Sequence, residues 1–358
     1  MQKIAIYGLG LIGGSLAKAF KQSNVETHIS AFDKPEVLKT ALAERTIDEK
    51  IEDAGSINNF DTIFLCLPVE TSLEYFKLIA PLLESKQVIT DVCGVKSIFA
   101  RTWSEINSAG IYIGGHPMTG KEQGGYENSD PLLFENSIYV LTEDLNKIEN
   151  LAEFRILLEA LGANILYLPA HQHDVIAASV SHLPQLLSVA LVNTSALKTG
   201  NYNFLDLAAG GFRDMTRIAS SDFTIWESVI RNNKEEILAA LDSFTHELES
   251  ISKLLGKNEF ASLRNMFESA SHKRHEIPAN TKGFLNPLYD LFIFVKDEPG
   301  VISKISTALY KLNINIKDIE LLKIREGSGG TFRFSFESEA DRKKAANEIL
   351  KIGYETSE

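Results

Sequence analysis

Cysteine is scarce here. Cys66 and Cys93 are the only two in 358 residues, too few for a disulfide framework or a cysteine-built metal site. Long apolar runs are missing as well. The longest, Ile63–Val69, is far too short to cross a bilayer, so no membrane partner is expected. The first residues move straight into a strand, without the apolar stretch and cleavage site of a signal peptide. Positive charge is in deficit: 36 Lys and Arg face 48 Asp and Glu, a net charge of -12. That argues against nucleic acid or an anionic membrane as the main partner. None of the eight histidines sits in a convincing metal pattern. His171-Gln172-His173 comes nearest, and no metal is expected. These absences point to a cytoplasmic globular protein. The length suggests two or three domains.

What is present is order of a familiar kind. Over residues 1–168 short apolar strands alternate with helices, which argues for βαβ units on a parallel sheet. The strands read 3–7, 28–32, 62–67, 87–91, 111–114, 137–142 and 164–168. The helices include 14–22, 36–44 and 145–161. After Pro169 the pattern changes, and nothing from 174 to 263 reads convincingly as a strand. Residues 169–280 form an all-α domain. Its helix 174–197 carries Pro184, which should kink it by removing a backbone donor. Further on, Ile230, Ile237, Leu241, Phe244, Leu248, Ile251 and Leu255 form a coiled-coil-like stripe. Such a stripe packs either within the subunit or against another copy. Residues 277–287 (IPANTKGFLNP) read as a linker. Residues 288–358 then follow the order βαββαβ of a small α+β ferredoxin-like unit, with a turn at 326–330.

Gly8, Gly10 and Gly13 form GxGxxG between a strand and a helix, and Asp33 closes the second strand twenty residues later. That is the full context a dinucleotide-binding turn requires. Gly8 permits the tight turn, Gly10 admits the pyrophosphate, and Gly13 allows close helix–strand packing. Leu11 and Ile12 complete the loop at the helix N-terminus, which faces the phosphates. Asp33 would bind the ribose hydroxyls and repel a 2′-phosphate, favouring NAD over NADP. Leu67 and Pro68, at a strand end, fall on the nicotinamide side. Cys66 beside them reads as a small core residue rather than a nucleophile.

Two further clusters carry chemistry. GGHPMTGKE (114–122) follows a strand, which places His116 over the cleft beyond the strand ends. A neutral histidine there can take a hydroxyl proton while a hydride leaves the same carbon. GGFRDMTRIASSD (210–222) brings arginines close to a glycine pair, a planar fork beside open backbone donors that suits a carboxylate.

Taken in order, GLGLIGGS, DVCGVKS, GGHPMTGKE, HDVIAASVSHLPQ and GGFRDMTRIASSDFTIW resemble the prephenate dehydrogenase family of tyrosine biosynthesis. The terminal unit, with DEPGVI in its first loop, resembles an ACT domain. The resemblance implies a Rossmann-type domain, an all-α dimerisation domain and a ferredoxin-like regulatory domain, in a homodimer paired through the helices. It implies NAD-dependent oxidative decarboxylation of prephenate to 4-hydroxyphenylpyruvate, with feedback by L-tyrosine. It gives His116 the role of proton acceptor and Arg217 that of carboxylate ligand. Gly210 falls where backbone meets substrate, Asp174 in the active-site network, Trp226 in the pocket wall and Glu122 at its mouth. Asp297, Pro299 and Gly300 become effector-site residues.

Two departures stand out. Some relatives carry serine where this chain has Gly94, and histidine where it has Gln185 near the substrate side chain. Neutral glutamine keeps arogenate open as substrate. A β-hydroxyacid dehydrogenase and a non-catalytic NAD or amino-acid sensor are the competing classes. The net charge sets a further problem, because prephenate is a dianion. Arg217, the nicotinamide ring, and Lys96 or Lys121 are the candidates for local positive charge.

Overall fold

The computed structural model describes residues 1–276 and 288–357, apart from 58, 122, 144, 146, 147, 149, 150, 197, 200 and 326–328. Two compact units result, 1–267 and 268–358.

The first unit opens with strands β1 (Gln2–Tyr7), β2 (Thr27–Phe32), β3 (Glu49–Lys50), β4 (Thr62–Leu65), β5 (Val88–Asp91) and β6 (Ile111–Tyr112). They pair in the order β3-β2-β1-β4-β5-β6, every pairing parallel. Alternate residues of one strand serve opposite faces. Ile4, Ile6 and Phe64 enter one apolar cluster, whereas Ala5, Tyr7, Ile63 and Leu65 enter the other. Helices α1 (Leu11–Gln22), α2 (Pro35–Ala43), α3 (Val69–Ile79) and α4 (Ser97–Glu105) connect the strands. A strand covered on both faces needs apolar residues at every position, hence the unbroken runs read in the sequence.

The remaining strands depart from that parallel expectation. β7 (Gly115–Pro117), β8 (Ile138–Leu141) and β9 (Asn164–Tyr167) form a separate three-stranded sheet, with β7 antiparallel to β8. Only two residues separate β6 from β7, too few for the crossover a parallel neighbour requires. The chain instead passes close over the end of β5. A Cβ at Gly115 would stand 2.7 Å from the Asp91 carbonyl oxygen, so only glycine fits. The helix read at 145–161 is shorter, α5 (Ala152–Glu159), among the described residues.

The helical region holds α6 (Ala170–Ala177), α7 (Leu183–Ser195), α8 (Gly210–Thr216), α9 (Phe223–Asn232), α10 (Lys234–Gly256) and α11 (Phe260–Glu276). It also contains a short hairpin that the sequence pattern did not suggest, β10 (Lys198–Thr199) with β11 (Tyr202–Asn203). Pro184 falls in the first turn of α7, where no donor is needed. One π-helical turn, Ala178–His182, joins α6 to α7 in place of a break. The combined run 170–195 is long and apolar enough to cross a membrane by length and composition, which the run of contiguous apolar residues had not indicated. Its buried positions are largely polar (His173, Asp174, His182, Gln185, Ser188), while Val175, Ile176, Val180 and Val189 are exposed.

The predicted stripe divides. Ile230 lies on α9, and Asn233 separates it from α10. Ile237 packs inside the unit with Ile230 and Leu241, whereas Leu248, Ile251 and Leu255 are exposed.

In the second unit β12 (Tyr289–Val295), α12 (Val301–Lys311), β13 (Asp318–Arg325), β14 (Gly329–Phe336), α13 (Glu339–Lys351) and β15 (Glu355–Ser357) give the antiparallel order β13-β14-β12-β15. This is the expected βαββαβ sandwich, its core built on Leu291, Ile293, Ile305, Leu309, Phe334 and Ile349. The linker read at 277–287, most of the turn read at 326–330, and Glu122 lie outside the described residues.

Candidate active site

The glycine turn follows β1. Gly8 has φ +95°, and a Cβ at Gly13 would stand 1.9 Å from the Gly8 carbonyl oxygen, so α1 packs onto the strand end only because that side chain is absent. A Cβ at Gly10 would meet nothing within 4 Å, which leaves that side of the turn open. Gly10 caps α1 without a side chain, so the first helical N–H groups, those of Leu11 and Ile12 included, are available to an anion. One Asp33 oxygen accepts from the Leu9 N–H at 2.5 Å and the other from the Lys34 N–H. The acidic residue therefore stands against the turn, as a ribose ligand must. Leu67 packs beside Gly8, and Pro68 caps α3. These residues fit NAD. Burial pushes the Cys93 thiol up to about 12 and raises Cys66 well above its ordinary value, so neither is a nucleophile near neutral pH.

His116 lies half-buried on β7, against the loop that follows β5. A Cβ at Gly94 would sit 3.8 Å from its Cε1 and Nε2, ordinary contact distance. Its Nδ1 is 2.8 Å from Nε2 of His173, and His173 Nδ1 is 2.8 Å from Oδ1 of Asp174. Burial, the His173 ring and the Lys96 charge hold the His116 imidazole well below its usual pKa, so it is neutral at pH 7.

Beneath it, fully buried Lys96 pairs with Asp91, which also accepts from the Tyr112 hydroxyl at 2.9 Å. Lys121 is engaged by Asp130 at 3.0 Å. Neither lysine is therefore an unpaired cation for substrate, contrary to the sequence expectation.

The helical region supplies the other wall. Asp174 is 1% exposed, and its carboxylate accepts from the backbone N–H groups of Lys96 and Ser97, each at 2.8 Å, as well as from His173. Burial pushes this carboxyl up, but those hydrogen bonds outweigh it and hold it below the usual range. Asp174, expected in the active-site network, has its carboxylate taken up by donors of the protein itself. Gln185, expected beside the substrate side chain, is 5% exposed and donates through Nε2 to the Ile218 carbonyl at 2.9 Å. It braces the turn Arg217–Ser220, on which Arg217 is exposed. Gly210 opens α8 with open space at its Cβ position. Trp226, on α9, stands edge-on to His182 with centroids 6.0 Å apart. Asn233 ties the helices together, donating to the Asp174 carbonyl and meeting His182 Nδ1 at 3.1 Å. α9 docks on α3, where Ser228 and Asn232 hydrogen-bond Glu70.

The site thus gathers the glycine turn and Leu67 at the strand ends, and His116 with the 94–96 loop and α6. His173 was not singled out as a site residue. The adjacent pair His173-Asp174 was its only local signal, and nothing local shows that its ring reaches a histidine 57 positions away.

In the second unit, Asp297 and Gly300 line a cleft of about 230 Å³ together with Glu298, Ile302, Ser303 and Leu321. Gly300 has φ +90° at the start of α12. Pro299 belongs to the same loop but does not line the cleft.

A Rossmann sheet, a dinucleotide turn and a neutral histidine beyond the strand ends define an NAD-linked oxidoreductase. The comparisons with known proteins narrow the class. Residues 16–167 match the nucleotide-binding domain of prephenate dehydrogenase, 169–269 its dimerization domain, and 289–353 the ACT domain. A prephenate dehydrogenase of Lactococcus lactis is 36% identical over 356 residues, covering 98% of each chain. Among solved structures, prephenate dehydrogenase from A. aeolicus, in complex with hydroxyphenyl propionate and NAD+, has a TM-score of 0.70 at 30% identity. It covers 77% of this chain and 98% of its own. A Synechocystis arogenate dehydrogenase has a TM-score of 0.68 at 28% identity, covering 77% and 99%. The chain belongs to the prephenate dehydrogenase family.

Proposed function

We propose that this enzyme oxidatively decarboxylates prephenate to 4-hydroxyphenylpyruvate, and that residues 1–168, 169–280 and 288–358 act as its nucleotide, substrate and regulatory domains. The observation that carries the reading is the neutral, half-buried His116 against the loop that follows β5, a strand of the same sheet as the β1 that leads into the dinucleotide turn. When bound, NAD+ supplies the acceptor for the hydride. His116 takes the proton of the ring hydroxyl as the carbinol C–H pair departs and the C–O bond becomes a carbonyl. The bond to the ring carboxylate then breaks, carbon dioxide leaves, and its electron pair aromatises the ring. The oxygen recovers its proton from His116, so the histidine ends as it began. Arg217 holds a substrate carboxylate, at a turn braced by Gln185. Gly210 and Trp226 complete the pocket. A second substrate, arogenate, is favoured by one observation: Gln185, turned inward onto the Ile218 carbonyl, brings no histidine charge to that position.

The exposed apolar positions Val180, Leu248 and Leu255 support a homodimer through the helical region. The cleft at Asp297 and Gly300 suits an amino-acid effector, which we take to be L-tyrosine. We place the enzyme in the cytoplasm. The deciding experiment follows NADH formation with prephenate and with arogenate, each offered NAD and NADP. Prephenate with NAD should be turned over best. Turnover of a 3-hydroxyacid instead, with none of prephenate, overturns the reading.

A further inference from the structure

We propose that His173 is a positioning residue that fixes His116 in the tautomer carrying its proton on Nδ1, so that the Nε2 lone pair faces the substrate hydroxyl. This deepens the function proposed above and rests on it only for its kinetic consequence.

Asp174 sets the direction of the hydrogen bonds. An ionised carboxylate can only accept hydrogen bonds, and this one accepts from Lys96 N–H, Ser97 N–H and His173. His173 Nδ1 must therefore carry a proton. Taken as a neutral imidazole, His173 has one proton, so its Nε2 is a lone pair. That lone pair lies 2.8 Å from His116 Nδ1, which must donate to it. A neutral His116 then has no proton left for Nε2. Each ring's tautomer is dictated by the one behind it, and the series ends on a carboxylate that is 1% exposed. The two rings stand at 73° with centroids 5.0 Å apart, so the contact is an edge-directed hydrogen bond and not a stack.

No side chain at position 94 can do this work. Gly94 has none, and its Cβ position faces Cε1 and Nε2 of His116 instead of Nδ1. The other charged or titratable groups acting on His116 are Lys96, His182 and Asp174. Lys96 is spent on Asp91 through its Nζ, and His182 Nδ1 faces Asn233. Among the described residues, only His173 meets the Nδ1 side.

The test reads the tautomer directly. In 15N NMR of the unliganded full-length protein near neutral pH, the His116 nitrogens should report a protonated Nδ1 and a bare Nε2. A wild-type spectrum with the proton on Nε2 overturns the proposal without any variant. In His173→Phe the Nδ1 partner is gone, and His116 should shift toward the Nε2–H form. The kcat should fall about tenfold or more while KM stays within about twofold. His173→Gln keeps an oxygen that can accept from Nδ1, so it should restore the tautomer and much of kcat. An unchanged His116 tautomer in a folded His173→Phe protein also overturns the proposal. Because the spectrum needs no substrate, a failure of the prephenate reading and a failure of the tautomer chain are separately visible.

Discussion

His116 stays neutral because ionising it would set a charge in a half-buried site next to the His173 ring and Lys96. In the proposed reaction the neutral imidazole is the active form. Activity should therefore hold flat from pH 7 downward and fall only through a pKa well below 6.5, visible in a kcat/KM profile. His116→Asn should lower kcat by about 100-fold or more with little change in substrate binding, since a general base is typically worth that much. Unaltered turnover would remove the role. His182 gives a stability prediction. Burial lowers it from 6.5 to about 4, with Asp174 pulling the other way. The unfolded chain then takes up a proton that the folded one refuses. Stability should fall as pH drops from about 6.5 to about 4 and level off below, by on the order of 3 kcal/mol. Urea midpoints at pH 7 and pH 5, compared with a His182→Phe variant, measure it. At this scale the sequence was informative about residue type and silent about partners. His116, Asp33 and the glycines announce themselves by local spacing, but Gln185 and Asp174 turn inward because of donors and acceptors supplied from distant segments.

The run α6–π turn–α7 is the element on which the site depends. It presents His173 and Asp174 before the π turn, His182 at its end and Gln185 just after. The extra residue of the π turn alters which side chains face inward and lets Pro184 occupy a first turn, where its missing N–H costs nothing. Gln185→Leu would strand the Ile218 carbonyl, a loss of about 1–3 kcal/mol if it stays dry. Since that carbonyl belongs to the Arg217 turn, the expected kinetic effect is a several-fold rise in KM with kcat nearly unchanged. Arg217→Ala should raise KM further. Steady-state kinetics on both variants test this, and a KM left in place would show that the turn does not set carboxylate binding. Strand and helix positions were largely legible because burial on both faces demands unbroken apolar runs. The antiparallel β7 was not, since three residues opening on the second of two glycines carry no periodicity.

For the whole molecule, the net charge of -12 opposes a dianionic substrate at long range. Lys96 and Lys121 are both paired, and Arg217 is the cation proposed to hold the substrate carboxylate locally. Raising salt should therefore screen the global repulsion and lower KM modestly before it weakens the local contact, a biphasic curve that a salt titration would show. The second unit has its own apolar core. Truncation after Pro287 should leave turnover intact and abolish inhibition by tyrosine. Persistent inhibition would move the effector to the active site.

By itself the sequence determined the alternation of strand and helix, the dinucleotide turn and the βαββαβ order of the terminal unit. Each of these is built from short local patterns, where spacing along the chain alone sets geometry. Tertiary structure alone decided that His173 meets His116, that Lys96 is spent on Asp91, and that Asp174 anchors the 96–97 backbone. Those contacts join segments 57 and 78 positions apart, or lie in a buried pair whose partner choice depends on what else the core excludes from water. A chain of hydrogen bonds has direction only once its last acceptor is known, and that acceptor was supplied by the fold.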